Sequence, residues 1–513
     1  MHFKPIFISF VLFLSTISLL SAFPTYHELF RPSYHFTPPK NWMNDPNGLI
    51  YANGEYHLYY QHNPYDIIWA HMSWGHAVSK DLIYWENLPV AIWETPEFQI
   101  YSGSTIIDFN NTSGLCEKPG CMLAFFTSQY KDREAQSVAY SNDNGRTFTQ
   151  YTGNPLIDEK LVDHRDPKVF WYEPHQKWIM VTALSWDFKI RMYSSKDLLN
   201  WEFMSDFGPD GLTEGVWEDP DLFLLEVEGE DNKKWVLSHA VDVTKVEYYI
   251  GEFDGYKFTN TETNGKIVLV DYGTDFDEAA TFNNEPKGRR LIIGWLDEGI
   301  YGLKTPTKEW RGMQSLIREL KIRRYPEGLR LVSGPIEEYQ KLRDQHKHSK
   351  DIHLNRIFHS HKLVKGGSLE ILAKFEYKPD DNSQPSEFGF KIFSGKDQET
   401  IIGYDVENQQ LFVDRTKSGI VDFDPIFASV TKALYTADDG KLQLQLFIDH
   451  SSVEIFADYG KIAMSSLIFP DPKKDQVVIY VKGGSVKVTS VDSWVLKDIW
   501  PDDSPQDMSF ISD

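Results

Sequence analysis

A carboxylate stands between amide side chains in Asn41-Trp42-Met43-Asn44-Asp45-Pro46-Asn47-Gly48. A carboxylate fixed in that way can attack an electrophilic carbon, so Asp45 is a candidate nucleophile. Asp-Pro and Asn-Gly are also strong turn signals, and taken alone the stretch reads as a hairpin connection. Two further stretches change the balance. His164-Arg165-Asp166-Pro167 sets a cation directly before a carboxylate, which a salt-bridged turn explains as well as a site does. Glu214-Gly215-Val216-Trp217-Glu218-Asp219-Pro220-Asp221 carries four acids in eight residues. Such clusters are ordinarily solvated loops, but Trp217 abutting Glu218 would desolvate its carboxyl, the condition a general acid needs.

Three acids so far apart in the chain act together only if the fold returns to one place. Ser79-Lys80-Asp81-Leu82-Ile83-Tyr84-Trp85-Glu86 recurs as Ser195-Lys196-Asp197-Leu198-Leu199-Asn200-Trp201-Glu202, with weaker copies at 141–148 and 252–258. Aligning the aromatic ends at 85, 148, 201 and 258 gives steps of 63, 53 and 57 residues. A unit of that size holds four short strands, one blade of a propeller. A second series with the same period, near Asp45, Ser102, Asp166, Glu218 and Asp275, has five phases. The spacing therefore predicts five blades whose inner strands gather Asp45, Asp166 and Glu218 around one axial cavity.

The chain is expected to be all-β, with the propeller over 23–335. Pro335 and apolar residues at 336, 339 and 342 predict a helical linker over 336–351. Alternating runs such as Leu369, Ile371, Ala373 and Phe375 then predict a β-sandwich over 352–500, followed by a polar tail at 501–513. Residues 1–22 read as a signal peptide, because the apolar run from 6 to 20 is shorter than the roughly 20 residues a membrane span needs. No later segment is long enough either, so the mature protein is expected to be extracellular and free of the membrane. Export makes Cys116 and Cys121 candidates for a local disulfide, with two free thiols as the alternative. Asn110 and Asn111 head two overlapping glycosylation sequons, of which at most one is expected to be used. A net charge of −23 argues against a nucleic-acid partner. There is no phosphate loop, Cys/His metal set or dinucleotide fingerprint, so no cofactor and no metal are expected. Aromatic residues make up 14% of the chain, which suits large cores and also sugar-stacking surfaces.

Trp42-Met43-Asn44-Asp45-Pro46-Asn47-Gly48, Tyr101-Ser102-Gly103-Ser104, Arg165-Asp166-Pro167 and Trp217-Glu218-Asp219-Pro220-Asp221, in this order and spacing, resemble glycoside hydrolase family 32. The likeness extends to 447–456 in the second domain. It implies a five-bladed β-propeller joined to a β-sandwich and a retaining mechanism on fructofuranosides, with Asp45 as nucleophile and Glu218 as acid and base. Asp166 would stay ionised and hold fructosyl hydroxyls, with Arg165 keeping it charged. Asn44, Gln61, Trp69 and Ser102 match substrate-binding positions, and Trp295 and Trp310 are further candidates. Asp242 and Lys245 resemble an Asp-x-x-Lys element that positions sucrose, which is the basis for expecting sucrose to be favoured. Asp219 stands where the family usually has Cys, and Asp297 where Asn is common. Strand alternation predicts that Asp219 points away from the cavity. A fructosyltransferase and a catalytically silent sugar-binding homologue are the rival functions, and a monomer or homodimer is expected.

Overall fold

The computed structural model describes residues 26–242, 244–355, 363–379 and 383–500. The expected signal peptide and polar tail lie outside the described residues. Five sheets stand around an axis, each beginning with an inner strand: Asn41–Ala52, Gln99–Asp108, His164–Tyr172, Trp217–Glu226 and Asp277–Thr281. Every inner strand packs on the next, and the fifth returns to the first, closing a five-bladed propeller. The short strand Trp310–Arg311 pairs in parallel with Asn41 and Trp42.

The repeated Ser-x-Asp motif makes the turn from the third to the fourth strand of a blade. Ser79 Oγ accepts the Leu82 N–H at 2.9 Å, Asp81 Oδ1 accepts those of Ile83 and Tyr84, and Trp85 Nε1 donates to the Leu82 carbonyl. Ser195, Asp197 and Trp201 repeat the same set of bonds in blade three. Short oxygen-bearing side chains cap the turn and the indole pins it, which is why the motif recurs with the blade.

Each inner strand is also bulged at a matching place, and the first carries a second bulge between Asn47 and Ile50. The register to the second strand jumps between Met43 and Pro46, Ile100 and Gly103, Arg165 and Lys168, Glu218 and Asp221, and Asp277 and Ala280. In every case two residues oppose one, so the ordinary alternation of faces is broken there. Asp166, Asp219 and Glu278, the first bulged residues of blades three to five, take left-handed φ of 62°, 43° and 46°.

The linker differs from the expectation of a helix over 336–351. A single 3-10 segment spans Glu337–Leu342, and Arg343 opens a strand, Arg343–Asn355, that pairs antiparallel with Ser485–Leu496. The apolar spacing at 336, 339 and 342 marks only that short segment: Ile336, Tyr339 and Leu342 are buried with Phe447 and Phe456. Beyond it the exposed residues follow strand pairing. The second domain stacks a six-stranded sheet on a five-stranded one around an aliphatic and aromatic core. Cys116 and Cys121 form a disulfide.

Candidate active site

The five bulges open into one cavity of about 280 Å³. Asp45 is fixed at its wall by two short bonds: Ser102 Oγ donates to Oδ2 at 2.6 Å and Asn44 Nδ2 to Oδ1 at 2.8 Å. Asn44 is itself oriented by Trp42 Nε1 at 2.7 Å. Burial pushes the Asp45 carboxyl up to about 6; the Ser102 and Asn44 hydrogen bonds oppose the rise, and the neighbouring Glu218 charge adds to it.

Glu218 meets Asp45 from the fourth blade. Arg165 Nη1 donates to its Oε1 at 2.5 Å, while Oε2 is buried with no hydrogen-bond partner among the described residues. Trp217 does not supply the desolvating wall expected of it. It faces the core between blades, its ring tilted 4.0 Å from that of His239, because it lies one residue before Glu218 on an extended strand. Arg165 is the cation among the lining residues, and it is shared: it also bonds Glu134 at 2.9 Å and Asp163. Asp166 is buried beside it. Burial raises the Asp166 carboxyl well above the usual range, Asp219 adds to this, and Arg165 only partly offsets it. Arg165 acts on Asp166 in the expected direction, but burial and the Asp219 charge outweigh it.

Asp219 faces the cavity, contrary to the alternation argument. The bulge turns it inward: its N–H donates to Asp166 Oδ2 at 3.1 Å, and its side chain bonds Glu278. Burial raises both Asp219 and Glu278 well above ordinary carboxyl values. Five acids thus line a site with one cation. Asp45, Asp219 and Glu278 each bring an oxygen within 4.8 Å of the others. That spacing fits a hard cation as well as shared protons, but both Asp45 oxygens already accept a hydrogen bond.

Residues 35–335 match the family model for the Glycosyl hydrolases family 32 N-terminal domain, and residues 338–495 match that for the Glycosyl hydrolases family 32 C terminal. The chain belongs to glycosyl hydrolase family 32. It is 42% identical over 515 residues to the levanase of Bacillus subtilis (strain 168), covering 96% of this chain and 75% of that protein. It is 34% identical over 519 residues to the extracellular exo-inulinase of Aspergillus awamori, covering 93% and 96%. The crystal structure of exo-inulinase from Aspergillus awamori superposes with a TM-score of 0.86 at 33% identity, over 93% of this chain and all of that one.

In this family 32 hydrolase, Asn44, Gln61, Ser102, Arg165 and Trp295 line the cavity with the three acids, and Trp69 stands at its mouth, 47% exposed and 5.8 Å from Tyr101. Trp310 does not line it; that ring lies under the Arg31 guanidinium in the core. Asp242 and Lys245 are also outside it, on the hairpin beyond Trp217, where Asp242 is exposed and its N–H bonds the Val216 carbonyl. Asp297 is buried behind the wall, where its Oδ1 accepts the Glu298 N–H. Sequence reasoning missed Glu278. The signal was the fifth phase, which was set at Asp275; the bulge that matches the other four lies three residues later.

Proposed function

We propose that this hydrolase is a secreted retaining β-fructofuranosidase that releases terminal fructosyl units. The observation that carries the reading is the pair formed by Asp45, held at both oxygens, and Glu218, held at only one, across a cavity on the scale of a single sugar ring. Asp45 attacks the anomeric carbon as Glu218 passes its proton to the leaving oxygen from Oε2. Glu218 then takes a proton from water, the water oxygen bonds the anomeric carbon, and Asp45 departs. Arg165 orients Glu218 through Oε1, and Asp166, Asp219 and Glu278 offer oxygens to the fructosyl hydroxyls. No metal or cofactor enters this scheme.

The substrates are sucrose and fructan ends. Because Asp242 and Lys245 stand away from the cavity, the case for sucrose as the favoured substrate weakens, and the relatives named for levan and inulin support fructans as co-substrates. Asn110 is the proposed glycan acceptor, since it is exposed while the Asn111 amide exchanges two bonds with the Cys116 backbone. The test is incubation with sucrose, inulin and levan separately, following fructose, glucose and longer oligomers. Fructose release from sucrose and at least one fructan is expected, first as the β-anomer. Longer oligomers as the main product would make the protein a transferase, and no release from any substrate would leave only a binding role.

A further inference from the structure

The second domain carries a cluster of metal-ligating side chains that the proposed hydrolysis does not use. Its first strand, Arg343–Asn355, pairs antiparallel with its last, Ser485–Leu496, and His348 stands directly opposite Asp492. Residues two apart on a strand share a face, so His346 and His348 project together while Lys347 turns away, its Nζ donating to the Leu363 carbonyl at 3.3 Å. Both imidazoles converge on one oxygen: Asp492 Oδ1 lies 2.8 Å from His346 Nε2 and 2.9 Å from His348 Nδ1. The cluster is open to solvent, with the two histidine side chains 47% and 49% exposed and that of Asp492 23% exposed. None of the three lines the hydrolytic cavity.

Two imidazole nitrogens and a carboxylate oxygen are the donor set of borderline divalent transition ions, whereas Mg²⁺ and Ca²⁺ take oxygens. A tetrahedral ion about 2.1 Å from each donor sets the donors about 3.4 Å apart. Each N···O distance then has to widen by about half an ångström, and the two nitrogens have to draw together, which half-exposed rings on a paired strand are free to do. Stacking already holds one of them: the His346 ring lies 4.8 Å from that of Trp494, with 6° between their planes. Arg343 covers Trp494 at 4.0 Å, but Glu370 meets its charge with bonds of 2.6 and 2.7 Å, so that cation does not oppose a metal ion. Asp492 lies 144 residues beyond His348, so the sequence shows only a His-x-His pair there and no complete metal set.

We propose that His346, His348 and Asp492 bind a divalent transition ion, Zn²⁺ or Cu²⁺, with water in the remaining positions, clasping the first strand of the sandwich to the last. The probe is Cu²⁺, and the background protein carries His359→Ala and His361→Ala, which removes the other His-x-His pair of the sequence. Electron paramagnetic resonance with one equivalent of Cu²⁺ is expected to show coupling to two nitrogens. By calorimetry, His346→Gln and His348→Gln should each weaken Cu²⁺ binding about tenfold or more, since removing even a residue that only supports a ligand costs that much. Both should leave kcat/KM on sucrose unchanged, which also shows that they fold. Zn²⁺ should raise the melting temperature of the background protein and not that of the protein with both substitutions, and Mg²⁺ should raise neither. Copper held by oxygens alone, as Asp45, Asp219 and Glu278 would hold it, overturns the proposal. Binding that both histidine substitutions leave intact overturns it as well, and if either variant failed to fold the nitrogen count in the background protein would still decide.

Discussion

Asp45 and Glu218 divide one task, and each is irreplaceable if the division is right. Asp45→Asn and Glu218→Gln are each expected to lower kcat by about 10³-fold or more with the fold intact; a variant keeping more than about a tenth of the turnover would contradict the assignment. The nucleophile must be ionised, and its carboxyl sits at about 6, so kcat/KM should fall as pH drops through that value. Ser102 holds the ionised form, so Ser102→Ala should move this acidic limb to higher pH. Asp219 acts in the opposite sense. Its carboxyl lies within 4.8 Å of that of Asp45 and repels its charge, so Asp219→Asn should move the limb to lower pH. Profiles of kcat/KM against pH for the three proteins decide both claims, and limbs that coincide would make the shared acid cluster irrelevant to catalysis.

At the level of elements, the junction between propeller and sandwich is built on buried charge. Arg318 bonds Asp271 at 2.8 Å, Glu454 at 2.5 Å and Ser465 at 2.6 Å, while His35 bridges Asp449 and Glu454. Arg318→Met would leave the buried Asp271 carboxylate without its cation and Glu454 with His35 alone, and a loss of about 3–5 kcal/mol in unfolding free energy is expected. Burial alone would lower the His35 imidazole, but its two carboxylate partners raise it to about 9. Its contribution is therefore complete below the ordinary value of 6.5 and is lost as pH rises through about 9. Glu454 is held down to about 2, against burial, by Arg318 and His35, so its contribution is complete above 4.5 and is lost as pH falls through about 2. Thermal stability should be flat between 4.5 and 6.5 and decline above that window. His35→Gln should remove the upper decline, and an unchanged melting profile would show that other groups set it.

For the whole molecule, the same junction couples the domains. Phe447, Phe456 and Ala463 of the sandwich share one apolar cluster with Tyr34, Leu316 and Tyr339, and Arg415 reaches from the sandwich to Asp275 at 2.6 Å and to Tyr301 at 2.8 Å. Separating the two parts would expose apolar surface and isolate charges at once, so calorimetry is expected to show a single unfolding transition. Two transitions, or an active fragment ending at residue 335, would show that the sandwich is dispensable.

The sequence by itself determined the architecture and the main acids. Turn chemistry is local, so Ser79-x-Asp81 and its copies repeat visibly with each blade. A period of that length in a chain of strand signals fits a small sheet repeated about an axis, and that is what brings Asp45, Asp166 and Glu218 together. The tertiary structure alone decided the finer geometry. A bulge is a mismatch between two paired strands and leaves no mark in either strand taken alone. Only the paired strands therefore show that Asp166 corresponds to Asp219 rather than to Glu218, that Asp219 turns inward, and that Glu278 completes the ring. The partners of Arg165 and Trp217, and the shortness of the segment before Arg343, were hidden for the same reason: each depends on residues that are distant in the chain and meet only when the blades close.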